Sequence, residues 1–162
     1  MKKIAMVYYS MTGNVQWVAD ALALAGADLV PLKPQKSYPD KGFKKFLWGG
    51  KSAIMGETPP LEPYQVNWDA YDLIILGTPV WASNIAPPLR TFITDNLSFL
   101  RSKSLAAVLC FSGGGADKAL AKVDKQFGLQ FVRTLVLVDP KDKPEQNKQQ
   151  ALEAFCAAIA ED

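Results

Sequence analysis

Short, continuous apolar runs alternate along this chain with segments in which apolar residues recur at every third or fourth position. Continuous apolar runs are typical of strands covered on both faces, whereas the second pattern is typical of helices with one buried face. The runs predict five strands, at residues 4–9, 27–32, 73–76, 105–111 and 131–138. The periodic segments predict five helices: after the first strand, around residues 43–54, from Pro87 onward, and after the fourth and fifth strands.

Strands that alternate with helices predict an α/β fold in which a five-stranded parallel sheet is doubly wound, with helices on both faces. Right-handed crossovers with the strand order 2-1-3-4-5 leave a crevice beside the first strand. Pro31 suits an edge position for the second strand, because proline cannot donate to a sheet. The loops after the first, third and fourth strands should therefore meet at one place.

The composition fits one globular domain, residues 1–162, since 49% of the residues are hydrophobic and 21% are charged. No apolar stretch approaches the roughly 20 residues of a membrane-spanning helix. The run after Met1-Lys2-Lys3 is too short for a signal peptide and lacks a small-residue cleavage site. Cys110 and Cys156 lie on different predicted elements, which favours reduced thiols and a cytoplasmic protein. The absence of histidine excludes imidazole catalysis and most zinc sites.

The loop after the first strand, Ser10-Met11-Thr12-Gly13-Asn14-Val15, is small and polar and leads directly into a helix. Free N–H groups and the positive end of the helix dipole favour a phosphate there, and Ser10, Thr12 and Asn14 can add side-chain donors. No Lys or Arg lies between Lys3 and Lys33, so we expect hydrogen bonds alone to hold the phosphate. The same residue types also form ordinary helix caps.

The loop lacks the lysine of a nucleoside-triphosphate loop, the G-x-G-x-x-G of a dinucleotide fold, and the cysteine and arginine of a phosphatase loop. It resembles the S-x-T-G-x-T phosphate loop of flavodoxins, which bind FMN. The resemblance implies that residues 10–15 surround the 5′-phosphate of FMN. Val15 departs from the pattern, and the lost threonine hydroxyl should weaken the site by about 1 kcal/mol without abolishing it.

Two further loops match the places where flavodoxins contact the flavin ring. The third strand leads through Gly77 into Thr78-Pro79-Val80-Trp81-Ala82-Ser83-Asn84, and the fourth leads into Ser112-Gly113-Gly114-Gly115. The resemblance implies that Trp81 lies against the isoalloxazine ring and that main-chain donors of the glycine-rich loop bond its pyrimidine side. The alternatives are a tryptophan that only plugs the end of the sheet and a plain flexible turn.

Response regulators share this strand order, but they need an aspartate after the third strand and acidic residues after the first. Gly77 and Tyr9-Ser10 occupy those positions, which excludes a phosphoacceptor site. The long excursion from Lys33 to Trp68 exceeds the usual connection in such folds. Its Trp48 is expected to pack in the core or to form a wall over the flavin.

The balance of 18 Lys and Arg against 16 Asp and Glu lacks the acidic field of many flavodoxins and is too small to indicate a nucleic-acid role. The lysines of the excursion indicate a solvated face or a contact for an acidic partner or an anionic cosubstrate. We expect an FMN-binding electron-transfer protein whose partner is a redox protein or a small-molecule electron acceptor. The alternatives are an NAD(P)H-dependent FMN or quinone oxidoreductase and, less favoured, a partner-binding module with a decayed flavin site.

Overall fold

The computed structural model describes residues 1–39 and 42–161, and the side chains of all of these except residues 42–47. The strands are β1 (Ile4–Tyr8), β2 (Asp28–Pro31), β3 (Leu73–Trp81), β4 (Asn84–Ile85), β5 (Ser104–Phe111) and β6 (Arg133–Val138). The helices are α1 (Asn14–Leu24), α2 (Gly42–Ile54), α3 (Pro87–Asp95), α4 (Leu97–Leu100), α5 (Ala116–Phe127) and α6 (Gln146–Glu161), with a 3₁₀ turn at Trp68–Ala70.

The main sheet is parallel, in the order β2-β1-β3-β5-β6, and β4 pairs antiparallel with the end of β3. Without β4 this is the predicted order 2-1-3-4-5, so the predicted doubly wound α/β fold is confirmed. The register places Met6 beside Ile75 and Ile75 beside Ala106, so β3 lies at the centre. All carboxyl ends of the parallel strands therefore meet at one edge of the sheet.

The two faces of the sheet bury alternate residues of the central strands, as strands covered on both sides require. Met6, Ile75 and Val108 pack with residues of α1 and α6 on one face. Ala5 and Ile74 pack with residues of α3 and α5 on the other. The alternation explains the continuous apolar runs in the sequence.

Gly77 allows β1, β3 and α1 to approach closely where the strands end. A Cβ at this position would lie 2.8 Å from Tyr8 Cβ and 3.2 Å from Val15 Cγ1, so a larger residue would push α1 away from the sheet. Glycine here fixes the distance between the first helix and the central strand, and with it the position of the loop that joins β1 to α1.

The main differences from the sequence prediction lie after the third strand and before the last. The third strand continues to Trp81 and returns as β4, which the sequence did not predict because a two-residue strand has no periodicity. The last strand begins at Arg133 instead of residue 131. The helix predicted from Pro87 onward ends at Asp95, and the separate short helix α4 begins at Leu97. In the described part of the chain, no helix combines the length and apolarity needed to cross a membrane.

Candidate functional site

A cavity of about 970 Å³ opens at the carboxyl edge of the sheet. The loops that follow β1, β3 and β5 form most of its wall. Gly50 of α2, the first turn of α5, Val136 of β6 and two residues after β6 form the rest of the described wall. Its volume lies near the upper end of the range for small-molecule sites, roughly 300–1,000 Å³. The cavity is therefore large enough for a ligand of nucleotide size.

The first loop, residues 10–15, turns from β1 into α1 through Gly13, whose φ of 98° lies in the left-handed region. Ser10 Oγ accepts a hydrogen bond of 3.1 Å from the N–H of Gln16, which leaves the hydroxyl proton of Ser10 free to donate. None of the hydrogen bonds among the described residues uses the N–H groups of residues 11–15. These donors are therefore available to an anion in the cavity.

The Asn14 side chain, which was predicted to donate to a phosphate, is hydrogen-bonded within the protein. Its Oδ1 accepts from the N–H groups of Lys141 (2.9 Å) and Asp142 (3.4 Å). Its Nδ2 donates to Asp142 Oδ2 (2.9 Å) and to Thr12 Oγ1 (3.3 Å). The predicted side-chain donor to a phosphate is thus engaged elsewhere. Asn14 instead joins the first loop to residues 139–143, which we call the closing segment.

The closing segment also brings a cation to the first loop. Lys141 Nζ donates a hydrogen bond of 3.1 Å to the carbonyl oxygen of Thr12. The sequence argument, which expected hydrogen bonds alone to hold a phosphate, considered only neighbours along the chain and did not anticipate this cation. Asp139 and Asp142 of the same segment line the cavity, so its charges have both signs.

The second loop, residues 78–84, is a tight hairpin made of the end of β3, a two-residue turn and the first residue of β4. Ala82 and Ser83 form its two-residue turn with φ values of 50° and 59°, the left-handed conformations of a type I′ turn. Neither residue is the glycine or asparagine that such turns prefer. The turn brings the backbone of Ser83 against Gly115, where a Cβ would lie 3.0 Å from Ser83 Cα.

Thr78 and Asn84 were predicted to bind the cofactor, but both are buried and neither lines the cavity. Thr78 Oγ1 accepts from the N–H of Ala86 (2.9 Å) and donates to Pro79 O (2.7 Å). Asn84 Nδ2 donates to Ala82 O (2.7 Å), and its Oδ1 accepts from Lys122 Nζ. Their polar atoms are used to hold the hairpin in place.

Trp81 lines the cavity from the second loop. Its indole makes edge contacts with Tyr9 and Tyr38, with ring centroids 5.8 Å and 5.5 Å away. Trp48, the alternative wall, is 51% exposed and lies near Lys51 instead. Among the residues of α2 whose side chains the structure describes, Gly50 reaches the cavity.

The third loop, residues 112–115, borders the cavity with Ser112 and three glycines. Gly114 and Gly115 have φ values of 105° and 92°, conformations that side-chain-bearing residues rarely adopt. Ser112 Oγ donates a hydrogen bond of 2.6 Å to Asp139 Oδ1, which ties the loop to the closing segment. Backbone groups can thus approach a flat ligand closely on this side.

Cys110 also lines the cavity, but its thiol is not activated as a nucleophile. Burial, with a smaller contribution from the nearby negative charge of Asp139, raises its pKa from 9.0 to about 12. Burial likewise raises the pKa of the Tyr9 hydroxyl strongly. Both groups are protonated at neutral pH, so Cys110 is not a thiolate nucleophile.

All of the predicted site residues line the cavity except Gly13, Thr78 and Asn84. The wall residues that the sequence prediction missed are Gly50, Cys110, Phe111, Ala116, Asp117, Lys118, Val136, Asp139 and Asp142. Asp139 directly follows the last strand of the parallel sheet. Its place at the carboxyl edge could have been inferred from the predicted topology.

No known protein-family model matches this chain. Solved structures with a similar fold include a candidate flavoprotein from Bacteroides eggerthii DSM 20697, with a TM-score of 0.75 and 21% identity over 99% of both chains. A flavoprotein in complex with FMN from Lactobacillus acidophilus NCFM has a TM-score of 0.71 and 20% identity over 88% of this chain and 96% of its own. Oxidised flavodoxin 1 from Bacillus cereus has a TM-score of 0.53 and 19% identity over 98% and 97%. At these identities the comparisons establish a flavodoxin-like fold.

Proposed function

We propose that this chain binds FMN in the cavity and acts as an electron-transfer flavoprotein. The observation that carries the proposal is the first loop, whose N–H groups at residues 11–15 have no acceptor among the described hydrogen bonds. Trp81 on another wall of the same cavity supports it. The similar fold of the FMN complex from L. acidophilus adds further support.

The first loop fits a phosphate monoester. Its backbone donors stand at the N-terminus of α1, where the helix dipole favours negative charge. The hydroxyl groups of Ser10 and Thr12 border the same space. Val15 adds no side-chain donor, but the missing threonine hydroxyl does not remove the backbone donors.

The remaining walls fit a flat, largely apolar ring. Trp81 offers an aromatic surface, while the third loop offers backbone groups unobstructed by side chains at its glycines. The two walls approach each other at Ser83 and Gly115. Together they would orient the ring and exclude water from part of it.

FMN, when bound, would supply the exchange of electrons. The residues of the chain would bind, orient and shield it. Cys110, protonated because of its raised pKa, would not compete as a nucleophile. The electron partner is proposed to be a redox protein or a small-molecule acceptor that reaches the cavity mouth.

An NAD(P)H-dependent FMN or quinone oxidoreductase is the second candidate. The observation that favours it is the extension of the cavity beyond the three predicted loops to Gly50, Lys118 and Val136. A larger cavity leaves room for a substrate beside the cofactor. A partner-binding module with a decayed flavin site is less favoured, because the backbone donors of the first loop are intact.

A titration of purified protein with FMN and with riboflavin, followed by quenching of flavin fluorescence, tests the proposal. We expect tighter binding of FMN, since riboflavin lacks the phosphate. Equal affinity for the two flavins would overturn the phosphate assignment. Aerobic oxidation of NADPH by the FMN complex, with and without a quinone, then separates the candidates: sustained turnover favours the oxidoreductase, and its absence favours the carrier.

A further inference from the structure

Lys141 lies beside the first loop, although it is 129 residues away from Thr12 in the chain. Its Nζ contacts the Thr12 carbonyl oxygen, and a Cβ on Gly13 would lie 2.9 Å from the same Nζ. The amine therefore occupies the space that the missing side chain of Gly13 leaves. Glycine at this position permits the left-handed backbone and also leaves room for the amine of Lys141.

The backbone of Lys141 is fixed as well as its amine. Asn14 Oδ1 accepts from its N–H, and the turn of the closing segment is held by the N–H of Lys143 bonded to Asp139 O (2.7 Å). The N–H of Asp139 donates in turn to Phe111 O at the end of β5. The lysine thus extends from a base that is anchored to both the first loop and the sheet.

The carbonyl that Lys141 contacts shares a peptide unit with the N–H of Gly13, one of the donors at the first loop. A cation on a carbonyl oxygen draws electron density through the peptide and makes the N–H at its other end a stronger donor. The positive charge also lowers the electrostatic potential energy of an anion in the cavity. Both effects favour a charged phosphate much more than a neutral hydroxyl group.

We infer that Lys141 is a cationic element of this phosphate site and acts through the peptide that joins Thr12 to Gly13. The inference rests on the proposed binding of FMN and adds a determinant outside the loop that the sequence indicates. Asp142, whose carboxylate lines the cavity and bonds Asn14, opposes it with a charge of the other sign. The closing segment would therefore set how strongly the site prefers a phosphate-bearing flavin.

The test measures the affinities of Lys141→Met, Lys141→Arg and Asp142→Asn for FMN and for riboflavin. For Lys141→Met we expect FMN to bind about three- to fivefold more weakly with riboflavin unchanged, the scale of one partly screened surface charge. Lys141→Arg should restore most of the FMN affinity. Asp142→Asn keeps an acceptor for Asn14 and should increase the affinity for FMN by a similar factor. Structural damage would lower that affinity and could not produce the increase.

Lys143→Met is the matched control, because Lys143 belongs to the same segment but its amine faces Asp139 at 3.5 Å and is largely exposed. It should change the FMN affinity by less than about twofold. Raising the salt concentration should reduce the difference between wild type and Lys141→Met. Equal weakening of FMN and riboflavin, or no effect on FMN, would overturn the role of Lys141. A wild type that binds neither flavin would instead contradict the proposed function, and one that binds both equally would overturn the phosphate assignment on which the inference rests.

Discussion

Trp81 meets Tyr38 edge-on, with ring centroids 5.5 Å apart and ring planes inclined by 77°. Tyr38 is itself held by a hydrogen bond of 3.2 Å between its hydroxyl group and Ser52 Oγ on α2. Gly49 of the same helix approaches the indole so closely that a Cβ there would lie 3.1 Å from Trp81 Cε3. The indole is therefore wedged between the end of β3 and α2, and its orientation at the cavity is set before any ligand binds.

Replacing Trp81 by alanine should weaken FMN binding by about 1 kcal/mol, since an aromatic contact of this kind contributes roughly 0.5–1.5 kcal/mol. The fluorescence of bound flavin should recover, because the quenching indole is gone. The midpoint potential of bound FMN should rise, since an apolar, electron-rich wall disfavours negative charge on the ring. Fluorescence titration and potentiometry measure these changes. Trp48→Ala is the control, and the same changes in that variant alone would show that the wrong wall was chosen.

Replacing Val15 by threonine should tighten FMN binding by at most about 1 to 1.5 kcal/mol if the new hydroxyl reaches the phosphate. Val15 is 1% exposed and packs beside Met6 and Tyr8, so the free protein should lose about 1 kcal/mol of stability. Calorimetric titration and urea unfolding measure the two quantities. Val18→Thr, buried on the same helix but away from the cavity, should lose stability without gaining FMN affinity.

Gly13→Ala and Gly26→Ala form a matched pair, because the two glycines have φ values of 98° and 97°. Both variants should lose about 1–2 kcal/mol of unfolding free energy to left-handed backbone strain. A Cβ at Gly26 meets nothing within 4 Å, whereas one at Gly13 displaces the Lys141 amine. Only Gly13→Ala should therefore bind FMN more weakly. Equal FMN affinity in the two variants would contradict this prediction.

Ala82→Gly should stabilise the free protein by about 0.5–1 kcal/mol. The methyl group is exposed and the backbone is left-handed, so the relief of strain exceeds the entropy that glycine adds to the unfolded chain. Ala25→Gly is the control, since Ala25 is also exposed but has a φ of −83°. It should destabilise the protein by about 0.5–1 kcal/mol. Urea unfolding of both variants checks the opposite signs.

The raised pKa of Cys110 predicts a loss of stability in alkaline solution. The unfolded chain releases the thiol proton near pH 9, while the folded protein retains it to about pH 12. The contribution is therefore fully present below pH 9 and is lost as the pH rises from 9 to 12, with a slope of at most about 1.4 kcal/mol per pH unit. Cys110→Ala should be less stable at pH 7 but should show a shallower decline. An unchanged slope would refute the assignment.

The sequence allowed the sheet and three of the cavity loops to be predicted for a physical reason. A buried parallel strand must be apolar over its whole length, and a loop at its carboxyl end must be small or polar to leave space for a ligand. The runs at residues 73–76 and 105–111 are apolar throughout, and each is followed by a loop of small or polar residues. The edge position of β2 was predicted from Pro31, because proline cannot donate to a sheet, and the structure confirms that position.

The rest depended on contacts that local patterns do not encode. The amide of Asn14 could donate a hydrogen bond to a phosphate. In the structure, however, its Oδ1 accepts from the N–H groups of Lys141 and Asp142, which fixes the side chain toward the closing segment. Thr78 looked like part of a binding loop, yet an unpaired N–H at Ala86 needed its hydroxyl group. Polar side chains at such positions pair with whichever buried backbone group is nearest, and only the tertiary structure determines which one that is.

The bonds between Asn14 and the closing segment join residues that are 127 and 128 positions apart. During synthesis on the ribosome, the strand and helix that flank the first loop emerge before the closing segment to which the loop is bonded. A nascent chain that ends before Lys141 would have the loop without its tether and without its cation. This end of the sheet can therefore reach its final arrangement only after the closing segment has been synthesised.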